Sequence, residues 1–312
     1  MVSPNVRDIC RDIKALKIQG AREVAKAAVR ALDIQARESR ASTPEALRGE
    51  LIEVADMLAS TRSTEPMLRN SLRYFFARIR EENLSSVREL RELLRREKRE
   101  YMEGLKRSIS AIAEYGAKEL PKKCTVLIHC HSHTVMGIVK RANEMGKEVD
   151  AICTETRPMF QGRISANELS RAGVPTTLIV DSAVKSFIND VDAVLVGADS
   201  IDSVGNLINK IGTSTIALVA SDRDIPFYSA AEMYKFDPMS QWGTISQIEE
   251  RDPKEVAEPR RFRGVNIRNP AFDVTQAKYI TAYVTERGVL PPQSLLGMAI
   301  RKGLGIENPM NR

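Results

Sequence analysis

The sequence has few of the residue types that mark secreted, membrane or metal-binding proteins. Its 312 residues include one Trp, three His and four Cys, and aromatic residues make up 5%. Four scattered cysteines are too few for a disulfide framework, so we expect reduced thiols and a cytoplasmic protein. No apolar run approaches the roughly 20 residues that cross a bilayer. Charged residues near the N-terminus argue against a secretory signal, and we therefore expect no membrane association.

The common nucleotide-binding fingerprints are also missing. No G-x-G-x-x-G follows a predicted strand, and no P-loop lysine is present. These absences argue against a dinucleotide or ATP enzyme of the common kinds.

The charge is mildly basic, with a net charge of +6 and a pI of about 9.1. Most of the excess lies in residues 1–120, where both signs alternate, as in Arg95–Glu100. Mixed charge is typical of a solvated helix face. We do not expect nucleic acid as a partner, whereas an anionic small substrate fits this balance.

The chain changes its pattern near residue 118, which predicts two domains. Residues 1–118 show helical spacing of apolar residues, with Thr43 and Pro44 as a helix start. Residues 119–312 alternate short β-branched runs with helix-length segments, which predicts a Rossmann-like α/β domain with a parallel sheet flanked by helices. The predicted strands are Thr125–Ile128, Val149–Cys153, Thr176–Val180 and Ala193–Val196, with Thr215–Ala220 and Tyr279–Val284 as further candidates.

Polar residues follow the first four predicted strands, where ligands bind in open parallel sheets. The groups are His129–His133, Thr154–Arg157, Asp181–Ser182 and Gly197–Ser200. We therefore expect the site at this edge of the sheet.

All three histidines lie in the segment His129–His133, together with Cys130. Three interpretations stay open: a metal site, histidines satisfied by the backbone, and a reactive thiol at a strand end. Zinc needs three or four convergent ligands, and no second cluster is visible, so we expect no metal. A helix predicted to open at Ser132–Thr134 would place its positive end near Cys130 and favour both a thiolate and a phosphate.

Asp199 is the second candidate for chemistry. Gly197 and Ala198 precede it and would let a substrate approach the backbone closely. A desolvated carboxyl has a raised pKa and suits a general acid, although a turn-capping Asp is the alternative. Asn209 and Lys210 suggest an anion contact, and Lys235 is read in the same way.

Seven motifs in order give the sequence a specific resemblance over essentially its whole length. They are Ile18-Gln19-Gly20-Ala21, His129-Cys130-His131-Ser132, Thr154-Glu155-Thr156-Arg157-Pro158, Gln161-Gly162, Gly197-Ala198-Asp199-Ser200, Asn209-Lys210-Ile211-Gly212-Thr213 and Asn269-Pro270-Ala271-Phe272-Asp273. The chain resembles the family that joins the alpha, beta and delta subunits of translation factor eIF-2B with two sugar-phosphate isomerases. Its length and its His-Cys-His-Ser block resemble the archaeal branch that converts ribose 1,5-bisphosphate to ribulose 1,5-bisphosphate.

The resemblance implies roles for individual residues. Cys130 matches the catalytic cysteine and Asp199 the catalytic aspartate. The residues considered for substrate binding are Gln19, Gly20, Ala21, Arg22, Arg62, Ser132, His133, Thr134, Asn209, Lys210 and Lys235. Gln19 and His133 depart from the family pattern, which has Arg and Lys there, and Arg22 offers a replacement charge.

These groups suggest a mechanism without metal or redox cofactor. Asp199 protonates the ring oxygen, and Cys130 removes the proton on C2. A hydride shift between C2 and C1 is the competing chemistry.

The resemblance also implies a biological setting. It implies a homohexamer built from three dimers, AMP as a candidate activator, and a role in AMP and nucleoside breakdown that feeds RuBisCO. The alternatives are an isomerase of methylthioribose 1-phosphate and a non-catalytic translation-factor subunit.

Overall fold

The computed structural model describes residues 2–62, 65–242 and 248–301, and it divides the chain into two compact units. Unit 1 is Met1–Lys106 and unit 2 is Arg107–Arg312, so the division falls inside one long helix. The boundary after residue 118 stays a prediction, and its end at residue 312 lies outside the described residues.

Unit 1 is helical, as predicted. The helices are α1 (Pro4–Lys14), α2 (Ala21–Glu38), α3 (Pro44–Ala59), α4 (Pro66–Glu81) and α5 (Val87–Glu119), the last continuing into unit 2. The hydroxyl of Thr43 accepts the N–H of Ala46 and caps α3, with Pro44 in the first turn. Buried Leu47, Leu51 and Leu58 recur at helical spacing, which explains why one face of α3 lies in the core.

A buried polar contact also ties unit 1 together. The ammonium of Lys98 on α5 lies 2.6 Å from the carboxylate of Asp33 on α2, whose side chain is almost fully buried. A carboxylate buried at that depth needs such a partner, and this pair links α5 to α2.

Unit 2 has an α/β fold, in which strands and helices alternate along the chain. Its strands are β1 (Lys123–His129), β2 (Glu148–Thr154), β3 (Thr176–Ile179), β4 (Ala193–Val196), β5 (Ser200–Ile201), β6 (Leu207–Lys210), β7 (Phe227–Ala230), β8 (Phe272–Thr275), β9 (Ala282–Thr285) and β10 (Gly288–Leu290). Its helices beyond α5 are α6 (His133–Glu144), α7 (Gln161–Arg171), α8 (Val184–Phe187), α9 (Thr213–Ser221) and α10 (Leu295–Arg301). Strands such as β1 and β4 are buried along nearly their whole length, which is what covering helices on both faces produce.

The main sheet has seven strands in the order β10-β9-β7-β4-β1-β2-β3. All neighbouring pairs are parallel except β9 with β10. A second sheet of β5, β6 and β8 is antiparallel. The predicted helical region followed by a mostly parallel α/β region is therefore confirmed.

One predicted strand is wrong. Thr215–Ala220 belongs to helix α9, because the Asp273 carboxylate accepts the N–H groups of Gly212 and Ser214 and caps the helix start. A short apolar run does not distinguish a buried strand from a buried helix. The candidate Tyr279–Val284 forms a strand only from Ala282.

No helix in the described part of the chain is both long and apolar enough to cross a membrane.

Candidate active site

The strand order of the main sheet reverses between β1 and β4. The chain leaves β1 for β2 on one side, and β4 pairs with β1 on the other. In open α/β sheets, ligands bind beyond the carboxyl ends of strands at such a switch point. His129 pairs with Val196 in register, so Cys130 and Gly197 are the next residues on the two adjacent strands. The structure thus brings the segment with Cys130 and the segment with Asp199 side by side at the carboxyl edge of the sheet.

Close packing joins these two segments. A Cβ added to Gly197 would lie 2.9 Å from Cβ and Oγ of Ser132, closer than real atoms approach. Ser132 caps α6, because its hydroxyl accepts the N–H of Val135 at 3.5 Å. The helix start predicted at Ser132–Thr134 is therefore present, and only a glycine fits at position 197.

The backbone of Cys130 is held from both sides. Its φ of 68° lies in the left-handed region, which is uncommon for a residue with a side chain. Its N–H donates to Oγ1 of Thr156 at 2.9 Å, and its carbonyl accepts from Oγ of Ser165, also at 2.9 Å. Two hydroxyls from separate parts of the chain thus fix this residue.

The Cys130 thiol is neutral at physiological pH. Its pKa is raised to about 11, chiefly by burial, with a smaller contribution from the charge of Asp199, and the opposing effects of Lys210 and the backbone N–H of His131 do not cancel this rise. The thiolate favoured by the sequence argument is therefore not the resting form, because desolvation outweighs the nearby cation and the helix start.

Hydrogen bonds connect Cys130 to the segment after Lys210, since Oγ1 of Thr156, which accepts the N–H of Cys130, lies 3.3 Å from Oγ1 of Thr154. His129 is buried, with its Nδ1 2.7 Å from Oγ1 of Thr154 and its Nε2 2.8 Å from the carbonyl of Ile211. The carbonyl is an acceptor only, so Nε2 carries the proton and Nδ1 accepts from Thr154. Burial lowers the pKa of His129, which keeps the ring neutral.

The two lysines of unit 2 predicted to bind substrate are both buried. Lys210 ends β6, and its ammonium lies 5.2 Å from the centre of the Phe272 ring. The Lys235 ammonium donates to the carbonyl of Ala198 at 2.7 Å and lies 3.6 Å from a Glu232 carboxylate oxygen. Lys235 therefore holds the backbone directly before Asp199.

The other predicted residues divide between the two units. Asn209 donates to Oγ1 of Thr213 at 3.0 Å, and Thr134 is buried in the first turn of α6. Unit 1 contains the N-terminal group at the start of α2, residues 19–22, with Gly20 at a φ of 81°. It also contains Arg62, whose guanidinium lies 3.0 Å from the Glu65 carboxylate.

Sequence reasoning left three supporting residues without a role. Asp181 accepts the N–H groups of Thr156 and Arg157, each at 2.7 Å, and its place directly after the predicted strand Thr176–Val180 was the available signal. Asp273 caps α9 beside Lys210, and burial raises the pKa of its carboxyl. Ser165 lies inside α7, where no sequence pattern distinguishes it.

The chain is similar to known proteins over nearly its whole length. The model of the Initiation factor 2 subunit family matches residues 17–292. A ribose 1,5-bisphosphate isomerase from Methanocaldococcus jannaschii is 40% identical, covering 92% of this chain and 92% of that protein.

Two solved structures have the same fold. The Pyrococcus horikoshii translation initiation factor eIF-2B has a TM-score of 0.79 at 30% identity, covering 93% of this chain and 98% of that chain. The 5-methylthioribose 1-phosphate isomerase from the same organism has a TM-score of 0.77 at 31% identity, covering 95% and 88%. The relatives confirm the predicted resemblance and the prediction of an isomerase. This chain belongs to the Initiation factor 2 subunit family.

Proposed function

We propose that this protein converts α-D-ribose 1,5-bisphosphate to D-ribulose 1,5-bisphosphate, with Cys130 as base and Asp199 as acid. The observation that carries the proposal is the meeting of the Cys130 and Asp199 segments at the switch point between β1 and β4. The similarity to a ribose 1,5-bisphosphate isomerase supports this substrate over others.

The neutral thiol of the resting protein defines the first step. Transfer of one proton from the thiol of Cys130 to the carboxylate of Asp199 creates the base and the acid together. Asp199 then protonates the ring oxygen as its bond to C1 breaks, and Cys130 takes the proton from C2. The C1–C2 double bond that results is protonated at C1 while the 2-hydroxyl loses its proton, which yields the ketose.

The cations of the site suit a doubly phosphorylated sugar. Lys210 and Lys235 are buried at the switch point, and an ammonium binds phosphate as a point charge. Ser132 and the start of α6 offer backbone N–H groups to an anion. We propose Asn209, Thr134 and His133 as further contacts, and we keep Gln19, Gly20, Ala21, Arg22 and Arg62 as proposed substrate-binding residues.

The decisive experiment follows ribulose 1,5-bisphosphate formation by the parent, by Cys130→Ser and by Asp199→Asn. Loss of general acid–base catalysis lowers kcat by about 10²–10⁴. Cys153→Ala is the matched control, because Cys153 is a buried thiol in β2 with a pKa raised to about 12 by burial. A folded parent without turnover, with and without AMP, would overturn the proposal.

Two further measurements decide between the alternatives. Deuterium at C2 is lost to solvent by the proton route and retained at C1 by a hydride shift. Faster turnover of methylthioribose 1-phosphate than of the bisphosphate would instead assign the second isomerase activity, which a structural relative carries.

The biological setting is part of the proposal. We assign the protein to the cytoplasm and to AMP and nucleoside breakdown, where its product feeds RuBisCO. We also propose a homohexamer of three dimers with AMP as activator. Light scattering and initial rates with added AMP test these two points.

A further inference from the structure

Two histidines and a carboxylate meet beside the candidate active site, on the side of α6 and α7. His131 precedes α6, His133 is its first residue, and Glu168 lies in α7. One donor atom of each lies within 4.8 Å of the others. The two imidazole rings stand edge to face, with 4.8 Å between their centroids.

The hydrogen bonds fix the tautomer of His131. Oγ of Ser165 lies 2.9 Å from the carbonyl of Cys130, and a carbonyl is only an acceptor, so the serine hydroxyl donates there. The same oxygen lies 3.0 Å from Nδ1 of His131 and therefore accepts a proton from that nitrogen. In the neutral imidazole, Nε2 of His131 therefore carries a lone pair.

That lone pair faces a second acceptor. Nε2 of His131 lies 3.8 Å from Oε2 of Glu168, with exposed fractions of 15% and 28% for the two side chains. The other carboxylate oxygen, Oε1, accepts from the ammonium of Lys140 at 2.7 Å. Two electron-rich atoms facing one another at this distance are stabilised when a cation lies between them.

We propose that His131, His133 and Glu168 bind a divalent transition-metal ion of the zinc type. Two imidazoles and one carboxylate form a three-ligand site that leaves a fourth position for water or a ligand. Tetrahedral bonds of about 2.1 Å separate donor atoms by about 3.4 Å, so small side-chain rotations suffice. A borderline ion is favoured, because Mg²⁺ and Ca²⁺ prefer sites built from oxygen.

The surroundings supply the two other features of a metal site. The hydrogen bond from Nδ1 of His131 to Ser165 is the outer contact that orients a ligand histidine. A surface cleft of about 480 Å³ borders Glu168 and Lys140, so the carboxylate is reached from solvent. Because Ser165 also holds the carbonyl of Cys130, a bound ion would fix the segment that carries the thiol.

No sequence pattern predicts this site, because Glu168 bears no regular spacing to the two histidines. The expectation of no metal rested on the lack of a second ligand group. Only the packing of α6 against α7 provides one. His133 is shared with the proposed substrate contacts, but metal binding is measured without turnover, so failure of the isomerase proposal and failure of the metal site give different results.

The test is equilibrium binding of Zn²⁺ to the metal-free protein, measured by competition with a chromophoric chelator. We expect one equivalent to bind. His133→Asn and Glu168→Gln should each weaken binding by at least about tenfold, which is the lower range seen even for outer-shell changes. Lys140→Met should strengthen binding, because it removes the cation that competes for Glu168.

Cobalt distinguishes this site from the neighbouring thiol. Co²⁺ bound to two imidazoles and a carboxylate shows visible d–d bands without a thiolate charge-transfer band in the near ultraviolet. Cys130→Ser should leave both affinity and spectrum unchanged. A thiolate band that disappears in Cys130→Ser would overturn the proposal, as would equal affinity in the parent and in folded His133→Asn.

Discussion

The hydroxyl of Thr156 accepts the backbone N–H of Cys130, with 2.9 Å between the two atoms. Thr156 has a φ of 62°, and its own N–H donates to Asp181. A β-branched residue rarely adopts this backbone conformation, so the carboxylate holds the threonine and the threonine holds the cysteine. The position of the thiol therefore depends on a residue one strand away.

Replacing Thr156 tests this dependence. Thr156→Val keeps the shape and leaves the N–H of Cys130 without its acceptor, which costs about 1–3 kcal/mol in a buried position. We expect a lower free energy of unfolding and a lower kcat with little change in KM. Thr156→Ser keeps the hydroxyl and should retain most of kcat. Equal kcat in both variants would contradict the positioning role.

The raised pKa of the Cys130 thiol predicts its reactivity. Below a pKa of about 11 the thiolate fraction rises about tenfold for each pH unit, so alkylation by iodoacetamide should accelerate about a hundredfold from about pH 7 to about pH 9. The measurement is the alkylation rate at Cys130 by mass spectrometry, with a chelator present. A plateau near neutral pH would contradict the raised pKa.

Two variants test the direction in which nearby charges change the pKa of Cys130. Asp199→Asn removes a negative charge that raises the pKa of Cys130, so alkylation at a given pH should become faster. Lys210→Met removes a positive charge that lowers the same pKa and should slow alkylation. The same direction of change in both variants would contradict the charge assignment.

Replacing Gly162 should lower the free energy of unfolding. A Cβ at this position would lie 1.7 Å from the carbonyl oxygen of Thr154 and 2.9 Å from Oγ1 of Thr156. Gly162→Ala must displace this backbone, and we expect a loss of at least about 1–3 kcal/mol in the free energy of unfolding. The measurement is a denaturant titration.

Gly137→Ala is the matched control. Gly137 lies inside helix α6, and a Cβ there would make an ordinary 3.6 Å contact with Cβ of Ala113. Alanine favours a helix interior over glycine by about 0.5–1 kcal/mol, so this variant should be as stable as the parent or more stable. Similar destabilisation by both substitutions would contradict the packing described.

Replacing Asp273 should affect both the free energy of unfolding and substrate binding. Its carboxylate accepts the N–H groups of Gly212 and Ser214 at the start of α9, three residues after Lys210. Asp273→Ala removes the cap and should cost about 0.5–2 kcal/mol, measured as the free energy of unfolding. It should also raise KM, because the segment carrying Lys210 loses its anchor.

Asp222→Asn serves as the control for charge. Asp222 is exposed at the other end of α9, where a negative charge faces the negative end of the helix. This variant should match or exceed the parent in stability. A KM unchanged by Asp273→Ala would contradict the link between the cap and the substrate site.

Local patterns made much of the fold predictable. Thr43 and Pro44 predicted the start of α3, and Ser132 predicted the start of α6, because a capping side chain binds backbone groups within three residues. The first four strands were visible as short β-branched runs ended by turn residues. The prediction of a strand at Thr215–Ala220 failed because the same short apolar run is compatible with a strand and with a helix. Asp273, which caps the helix, lies far along the chain.

The sequence by itself determined the helical and α/β regions, the family, and the motifs that contain Cys130 and Asp199. Tertiary structure alone decided that β4 lies beside β1, that Ser165 and Thr156 hold Cys130, and that Glu168 faces His131. It also decided the protonation of the thiol. The reason is that burial and charge act through space, and both depend on strands and helices brought together by folding.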